Sequence, residues 1–158
     1  MKQKKTNAAR RLDDLKIAYR LVEYTVDEEH LDAVHVAAEV GMPAAQVFKT
    51  LVVRGDKTGV IFACIPGGGE LDLKALAKVS GNKRAELVPV KEVLPLTGYI
   101  RGGCSPLGAK KNYPVYLDAS SSGWDEIAVS AGVRGMQIVL APAGLQLATR
   151  AVVAPLTF

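Results

Sequence analysis

Three groups of residues in this chain have types and spacing that could do chemistry. The densest is Gly98-Tyr99-Ile100-Arg101-Gly102-Gly103-Cys104-Ser105-Pro106-Leu107-Gly108, where four glycines, a proline and a serine fall within eleven residues. Such a composition makes a fixed loop, because missing Cβ atoms let backbone run close to a ligand or to another strand. In the first case its amides form an anion-binding concavity; in the second it is a structural turn with a bulge. Composition leaves both open. The second group is Lys49, set in the apolar run Phe48-Lys49-Thr50-Leu51-Val52-Val53. It either faces solvent from a sheet or enters a cleft, where a desolvated ammonium demands a carboxylate, phosphate or carbonyl partner. The third is the small-residue turn Ser130-Ala131-Gly132. If the sheet curls, the three converge. One lysine with exposed amides suits an ester carbonyl whose neighbour bears phosphate, the lysine offsetting anionic charge and the amides stabilising an oxyanion. Such a site lacks its own nucleophile, which leaves water or a group on the substrate.

Other chemistries are poorly supplied. The two histidines, His30 and His35, lie five apart near the start, with no Cys/His/Asp cluster at zinc spacing and no evident serine for a triad. Pro66-Gly67-Gly68-Gly69 lacks the Gly-Lys-Ser/Thr ending of a phosphate loop and the spacing of a dinucleotide fingerprint. Cys104 would be a nucleophile only if Arg101 or Lys110 depressed its pKa; otherwise it is a small apolar filler, and Cys64 is core.

The elements that must position these groups are short. Thr6 or Asn7 caps a first helix carrying Ala8, Leu12, Leu15 and Tyr19 on one face and basic residues on the other. Period-two alternation marks a strand over 21–26. Asp32 precedes a helix from Ala33 to Val40 that Gly41 stops, and Pro43 opens a short turn through Val47. A strand over 48–53 turns through 55–59 and returns antiparallel over 60–65. Asp72 caps a helix from Leu73 to Val79. A short strand over 83–88 precedes a brief helical turn from Pro89 to Leu94. Further strands are predicted at 115–117, 127–129 and 136–140, then a last helix over 143–149 and an apolar tail over 151–158. These short, hairpin-like strands lack the long crossover helices of a doubly wound sheet. The expected fold is α/β (α+β): a mixed, largely antiparallel, β-barrel-like sheet of six to seven strands flanked by short helices. At 158 residues it is read as a single domain, 1–158.

Composition sets outer bounds. Two cysteines in no metal-like or redox-like spacing point to a reduced, cytoplasmic setting, and no apolar run approaches a membrane span or a signal sequence. The formal charge of +4 is concentrated early, in Lys2, Lys4, Lys5, Arg10, Arg11, Lys16 and Arg20 against Asp13 and Asp14. That face suits a polyanion such as tRNA, bound through its phosphates without base reading; it equally serves solubility.

Several segments, taken in order, resemble the YbaK/EbsC family, which is related to the editing domain of bacterial prolyl-tRNA synthetases. They are Val47 to Val52, Leu71 to Lys74, Thr97 to Lys111 and Val129 to Gly135. The likeness runs from Leu12 to Leu147. It implies trans-editing, the removal of a wrong amino acid from tRNA, by a mixed β-barrel flanked by helices. The nearest subgroup is similar to the Cys-tRNA(Pro) deacylases. The resemblance assigns Lys49, Gly102, Gly103 and Ser130 to catalysis and Tyr24, Phe48, Thr50, Arg101, Ser105, Pro106 and Gly132 to substrate binding. It calls for no metal or cofactor. The implied partners are the tRNA(Pro) acceptor end and prolyl-tRNA synthetase. The implied mechanism is substrate-assisted: the mischarged cysteine's thiol attacks its own ester carbonyl, the Gly102 and Gly103 amides hold the carbonyl, and Ser130 orients the ribose or amino group. The chain departs from the pattern at Arg101, Cys104, Ala131 and Val133. The wider superfamily includes editors of alanine and other residues that use water, and a tRNA- or synthetase-binding module without catalysis is the alternative class.

Overall fold

In a computed structural model, residues 5–158 are described, so Lys2 and Lys4 of the basic segment lie outside the described residues. Helix α1 spans Asn7–Asp14, where the Thr6 side chain accepts the Ala9 N–H. The basic face loses one charge locally: Lys5 Nζ sits 2.6 Å from Asp13. Strand β1 (Arg20–Glu23) follows, then α2 (Ala33–Val40), with Asp32 accepting the His35 N–H and Gly41 closing the helix at φ 72°. A single 3-10 turn, Ala44–Gln46, leads into β2 (Phe48–Gly55) and β3 (Gly59–Pro66). Helix α3 (Leu73–Ser80) starts at Asp72, whose carboxylate accepts the Lys74 and Ala75 N–H groups. Next come β4 (Ala85–Leu87), α4 (Val90–Thr97), β5 (Val115–Asp118), β6 (Ile127–Ser130) and β7 (Met136–Leu140). Helix α5 (Pro142–Thr149) and β8 (Val152–Ala154) complete the chain. The brief turn expected after Pro89 is a full helix that carries Pro95, and the apolar tail supplies an eighth strand.

The strands form two sheets, ordered β1-β7-β6 and β4-β2-β3-β5-β8. Four of the six ladders are antiparallel, while β3–β5 and β5–β8 are parallel. The mixed, largely antiparallel character is as expected; the barrel does not close. The sheets meet at one parallel bridge, Val47 to Ala128. Between them lies the main core. Phe48, Val52, Phe62, Cys64, Val115 and Leu117 from one sheet face Ile127, Val129, Ile138 and Leu140 from the other, and α1 and α5 add Leu12 and Leu145. A second core packs α3 through Leu76 and Ala77 on the outer face of β2 and β3, and a third seats Ala37 of α2 on Val47, Ala128 and Val139. Period two thus gives the central strands β3, β5, β6 and β7 two buried faces, while β1, β4 and β8 are partly exposed. Among the described residues no helix is long and apolar enough to cross a membrane.

The glycine-rich loop after α4 is clamped at several points. The Tyr99 hydroxyl donates to the Leu107 carbonyl, the Thr97 hydroxyl accepts the Tyr99 N–H at 3.0 Å, and Ser105 Oγ accepts the Leu107 N–H at 3.2 Å. Arg134 Nε reaches across to the Arg101 carbonyl at 2.8 Å, tying the loop to the turn after β6. Gly132 in that turn has φ +98°, and a Cβ there would lie 2.9 Å from the Tyr99 ring. Gly132→Ala combines left-handed strain with overpacking. It should destabilise the fold by roughly 1–3 kcal/mol, read from the midpoint of a urea transition; an unchanged midpoint would mean the ring moves freely.

Candidate active site

A cavity of about 350 Å³ opens beside the lower half of β2. Its position follows from the sheet. The last bond between β2 and the chain of β4 joins the Val88 N–H to the Val52 carbonyl at 2.9 Å. Alternate residues of an antiparallel strand bond to alternate neighbours. Since Val52 faces the β4 side, Thr50 presents its N–H and C=O to the same side, where β4 has already left. The cavity straddles this free edge, so Phe48, Lys49, Thr50, Leu51 and Val52 all line it although they alternate in direction. Its other walls come from the start of α2, from Val88 and Val93, from Arg101, Gly102 and Cys104 of the glycine loop, and from Ser130 and Gln137 on the three-stranded sheet.

The structure therefore brings together Lys49, Phe48, Thr50, Arg101, Gly102 and Ser130. Lys49 is half-buried and takes part in no ion pair or side-chain hydrogen bond among the described residues, and Arg101 donates no side-chain bond there either. The carboxylate on the rim, Asp32, is engaged in capping α2. Gly102 has φ +83° and its amide makes no hydrogen bond among the described residues, whereas the Gly103 N–H already donates to the Ile100 carbonyl at 2.9 Å. A free backbone donor is thus present at one of the two glycines. Ser130 Oγ accepts the Gly132 N–H at 3.1 Å, which leaves its hydroxyl hydrogen to donate into the cavity.

Other expected residues lie elsewhere. Tyr24, Gly103, Ser105 and Gly132 do not line this cavity. Ser105 is fully buried and caps its own turn, Gly132 accommodates Tyr99, and Pro106 faces a different groove. His30 and His35 stack with ring centroids 5.0 Å apart, His30 Nδ1 lying 2.9 Å from Asp27, and neither reaches the cavity. Cys104 does reach it, but burial pushes its thiol up to about 12. It is a protonated wall, not an activated nucleophile.

Gln137 had no motif to mark it. It sits on β7 directly across from Ser130, is 5% exposed, and its Oε1 is buried without a partner among the described residues. The only signal in the sequence was a polar residue in the otherwise apolar strand Met136-Gln137-Ile138-Val139-Leu140. A buried amide left unpaired costs about 1–3 kcal/mol, which is tolerated where a ligand supplies the missing bond. The site as a whole offers two cations, one free amide, a hydroxyl donor, a strand edge and an unpaired carboxamide within apolar walls. That set can hold a small ester with an anionic neighbour.

Residues 27–147 match the model of the aminoacyl-tRNA editing domain. A protein of Enterococcus faecalis, provisionally named as the Cys-tRNA(Pro)/Cys-tRNA(Cys) deacylase EbsC, is 51% identical over 140 residues, covering 89% of this chain and 85% of that protein. A proline–tRNA ligase of Thermosipho africanus is 30% identical over 76 residues, 48% of this chain and 13% of the ligase. Among solved structures, one described as a candidate trans-editing enzyme for prolyl-tRNA synthetase superposes with a TM-score of 0.83 at 28% identity, covering 97% of this chain and 98% of that one.

Replacing Gln137 by the similarly shaped methionine removes the unpaired oxygen. Gln137→Met should raise the thermal midpoint by about 2–4 °C per kcal/mol recovered; a lower midpoint in a thermal scan would show that the amide is already satisfied. The cysteines give a pH signature. Burial raises both Cys64 and Cys104 to about 12 from an ordinary 9.0. Between those values the unfolded chain has lost protons that the folded chain keeps, so stability should fall as pH rises from 9 toward 12. Denaturant midpoints should drop over that window less in Cys104→Ala than in the parent, and equal slopes would contradict the assignment.

Proposed function

The chain belongs to the aminoacyl-tRNA editing domain family, and from that premise we propose that it is a deacylase that releases cysteine from mischarged tRNA(Pro). One observation carries the reading. An unpaired lysine and a free glycine amide frame a cavity that contains no activated nucleophile. The volume of about 350 Å³ lies in the range of small-ligand sites, about 300–1,000 Å³, and suits an aminoacyl ester with its terminal ribose.

A substrate that brings its own attacking atom completes such a site. In Cys-tRNA(Pro) the thiol sulfur attacks the carbonyl carbon of its own ester. A C–S bond forms, the C–O bond to the ribose breaks, and the thiol proton ends on the ribose oxygen. The products are a cyclic thioester, which water later opens to cysteine, and uncharged tRNA. Holding sulfur and carbonyl together makes the attack intramolecular, and effective molarities for such reactions are large. Lys49 offsets the charge of the terminal phosphate and of the sulfur as it ionises. Gly102 N–H donates to the carbonyl oxygen as negative charge develops there. Ser130 donates to the departing ribose oxygen. The Thr50 carbonyl at the free strand edge accepts from the substrate ammonium, and Phe48, Val88 and Val93 keep the pocket dry. Alanine offers no sulfur, so its ester is spared for want of an attacking group. The acceptor end of tRNA(Pro) is the part bound. Prolyl-tRNA synthetase is the partner that presents it, a reading supported by the shared segment with a proline–tRNA ligase.

The test is a deacylation panel with Cys-, Ser-, Ala- and Pro-tRNA(Pro). Cys-tRNA(Pro) should turn over while its oxygen analogue Ser-tRNA(Pro) does not; equal rates would exclude thiol attack in favour of water. Lys49→Ala should lower turnover by about 10²-fold or more with an unchanged circular dichroism spectrum. A folded variant that keeps most of its activity would remove Lys49 from the mechanism.

A further inference from the structure

The glycine loop has a second side. Cys104 lines the cavity described above, and Pro106, two residues on, lines another groove of about 470 Å³. At most about 7 Å of chain separates these two lining residues. The floor of the second groove is Phe62 with Tyr113 tilted against it, ring centroids 5.2 Å apart. Its rim carries three cations from three separate elements: Arg11 on α1, Lys111 in the loop, and Arg150 at the end of α5. All three are exposed, and none enters an ion pair or a side-chain hydrogen bond among the described residues. No aspartate or glutamate lines the groove. No ion pair among the described residues accounts for this clustering. Arg150 sharpens the point. It closes α5 at φ 57°, a left-handed position where glycine is the relaxed choice and where Gly41, Gly81 and Gly98 end α2, α3 and α4, Lys16 after α1 being the other non-glycine residue held so among the described residues. A bulky cation is kept there at the expense of backbone ease.

We propose that this groove binds the phosphodiester backbone of tRNA, gripping the acceptor strand next to the 3′ end that occupies the first cavity. This rests on the reading of that cavity as the aminoacyl site. Three unpaired cations with no competing carboxylate make a sequence-independent phosphate clamp, since phosphate contacts fix position without reading bases. The groove thereby supplies affinity for the nucleic acid, and the first cavity supplies the chemistry. It also gives a small domain a hold on RNA that a pocket sized for one aminoacyl ester does not provide.

The experiment uses the full chain and fluorescently labelled, uncharged tRNA, so binding is read independently of catalysis. Replacement of Arg11 and Lys111 by glutamine and of Arg150 by glycine neutralises the groove and relaxes the strained position. This triple variant should bind tRNA at least tenfold more weakly at 100 mM salt. Its plot of log affinity against log salt should be shallower by about 2 to 3, near 0.7–0.9 per phosphate lost. Deacylation of whole Cys-tRNA(Pro) should show a raised KM at unchanged kcat, whereas a short cysteinyl-CCA fragment should be processed as by the parent. Unchanged tRNA affinity and salt slope overturn the proposal, as does a variant that loses binding to prolyl-tRNA synthetase but not to tRNA. If the parent binds tRNA through the groove but deacylates neither substrate, the proposed activity fails while the groove assignment stands. Should the triple variant prove unstable, Arg150→Gly alone, which eases the backbone, must still reduce the slope by about one.

Discussion

Everything at the first cavity depends on β2 being paired along both edges for only part of its length. From Val53 to Gly55 it lies between β3 and β4, and the Val88 N–H extends that pairing to the Val52 carbonyl. Below that point β4 has turned away into α4, and an unpaired strand edge must be covered or used. Part of it is covered by the bridge from Val47 to Ala128, which draws the three-stranded sheet alongside. The remainder, around Thr50, is left open between the two sheets. A cavity built this way has one wall of backbone polar groups and the rest of side chains. It can orient a polar substrate without spending many polar side chains, and most of its lining is correspondingly apolar.

The glycine loop closes that opening, and its composition serves packing as much as chemistry. Tyr99 is buried with its hydroxyl on the Leu107 carbonyl, so the loop folds around its own aromatic ring. Gly103 and Gly132 let the loop and the turn after β6 approach closely: a Cβ at Gly103 would meet the backbone of Val133 and Arg134 at 3.3 Å. The two readings left open by composition are therefore both realised, at different residues. Gly103 and Gly132 are the structural turn. Gly102, with its unengaged amide, faces the cavity.

This division explains what was legible in the sequence. Helix limits were marked by caps with a local physical cause, Asp32 and Gly41 for α2 and Asp72 and Gly81 for α3, and those limits hold nearly to the residue. Alternation located the strands for the same reason. Strand order was not legible, because it is set by long-range ladders such as the parallel β3–β5 and β5–β8 pairs, which leave no mark on local period. The convergence of Lys49, Gly102 and Ser130 was visible through family likeness, while the placing of Ser105 inside the fold and Pro106 on another groove was not. A serine and a proline in a polar loop look alike whether they face a ligand or cap a turn. Gln137 was missed because an alternating strand normally allows a polar residue on its exposed face. Only the packing of α2 against the same face of the sheet makes that position buried.

The last consequence concerns where this fold tolerates cost. Lys49 and Gln137 each carry polar groups into partly or wholly desolvated places without a protein partner, and Gly102 leaves an amide unspent. Local rules of folding oppose all three. These three meet in one cavity, whereas Asp118 accepts from the Leu156 and Ser120 N–H groups and Asn82 accepts from Lys57 and Thr58 elsewhere; outside the cavity, His35 Nε2 on α2 is also buried without a hydrogen-bond partner among the described residues. Polar groups left unpaired at the cavity have lost stability there in a way a bound ester would restore. The same contrast separates the two kinds of cation. Lys5, Arg20 and Arg54 are matched with Asp13, Glu126 and Glu92 on the surface, whereas Lys49 and Arg101 at one opening and Arg11, Lys111 and Arg150 at the other have no carboxylate partner among the described residues.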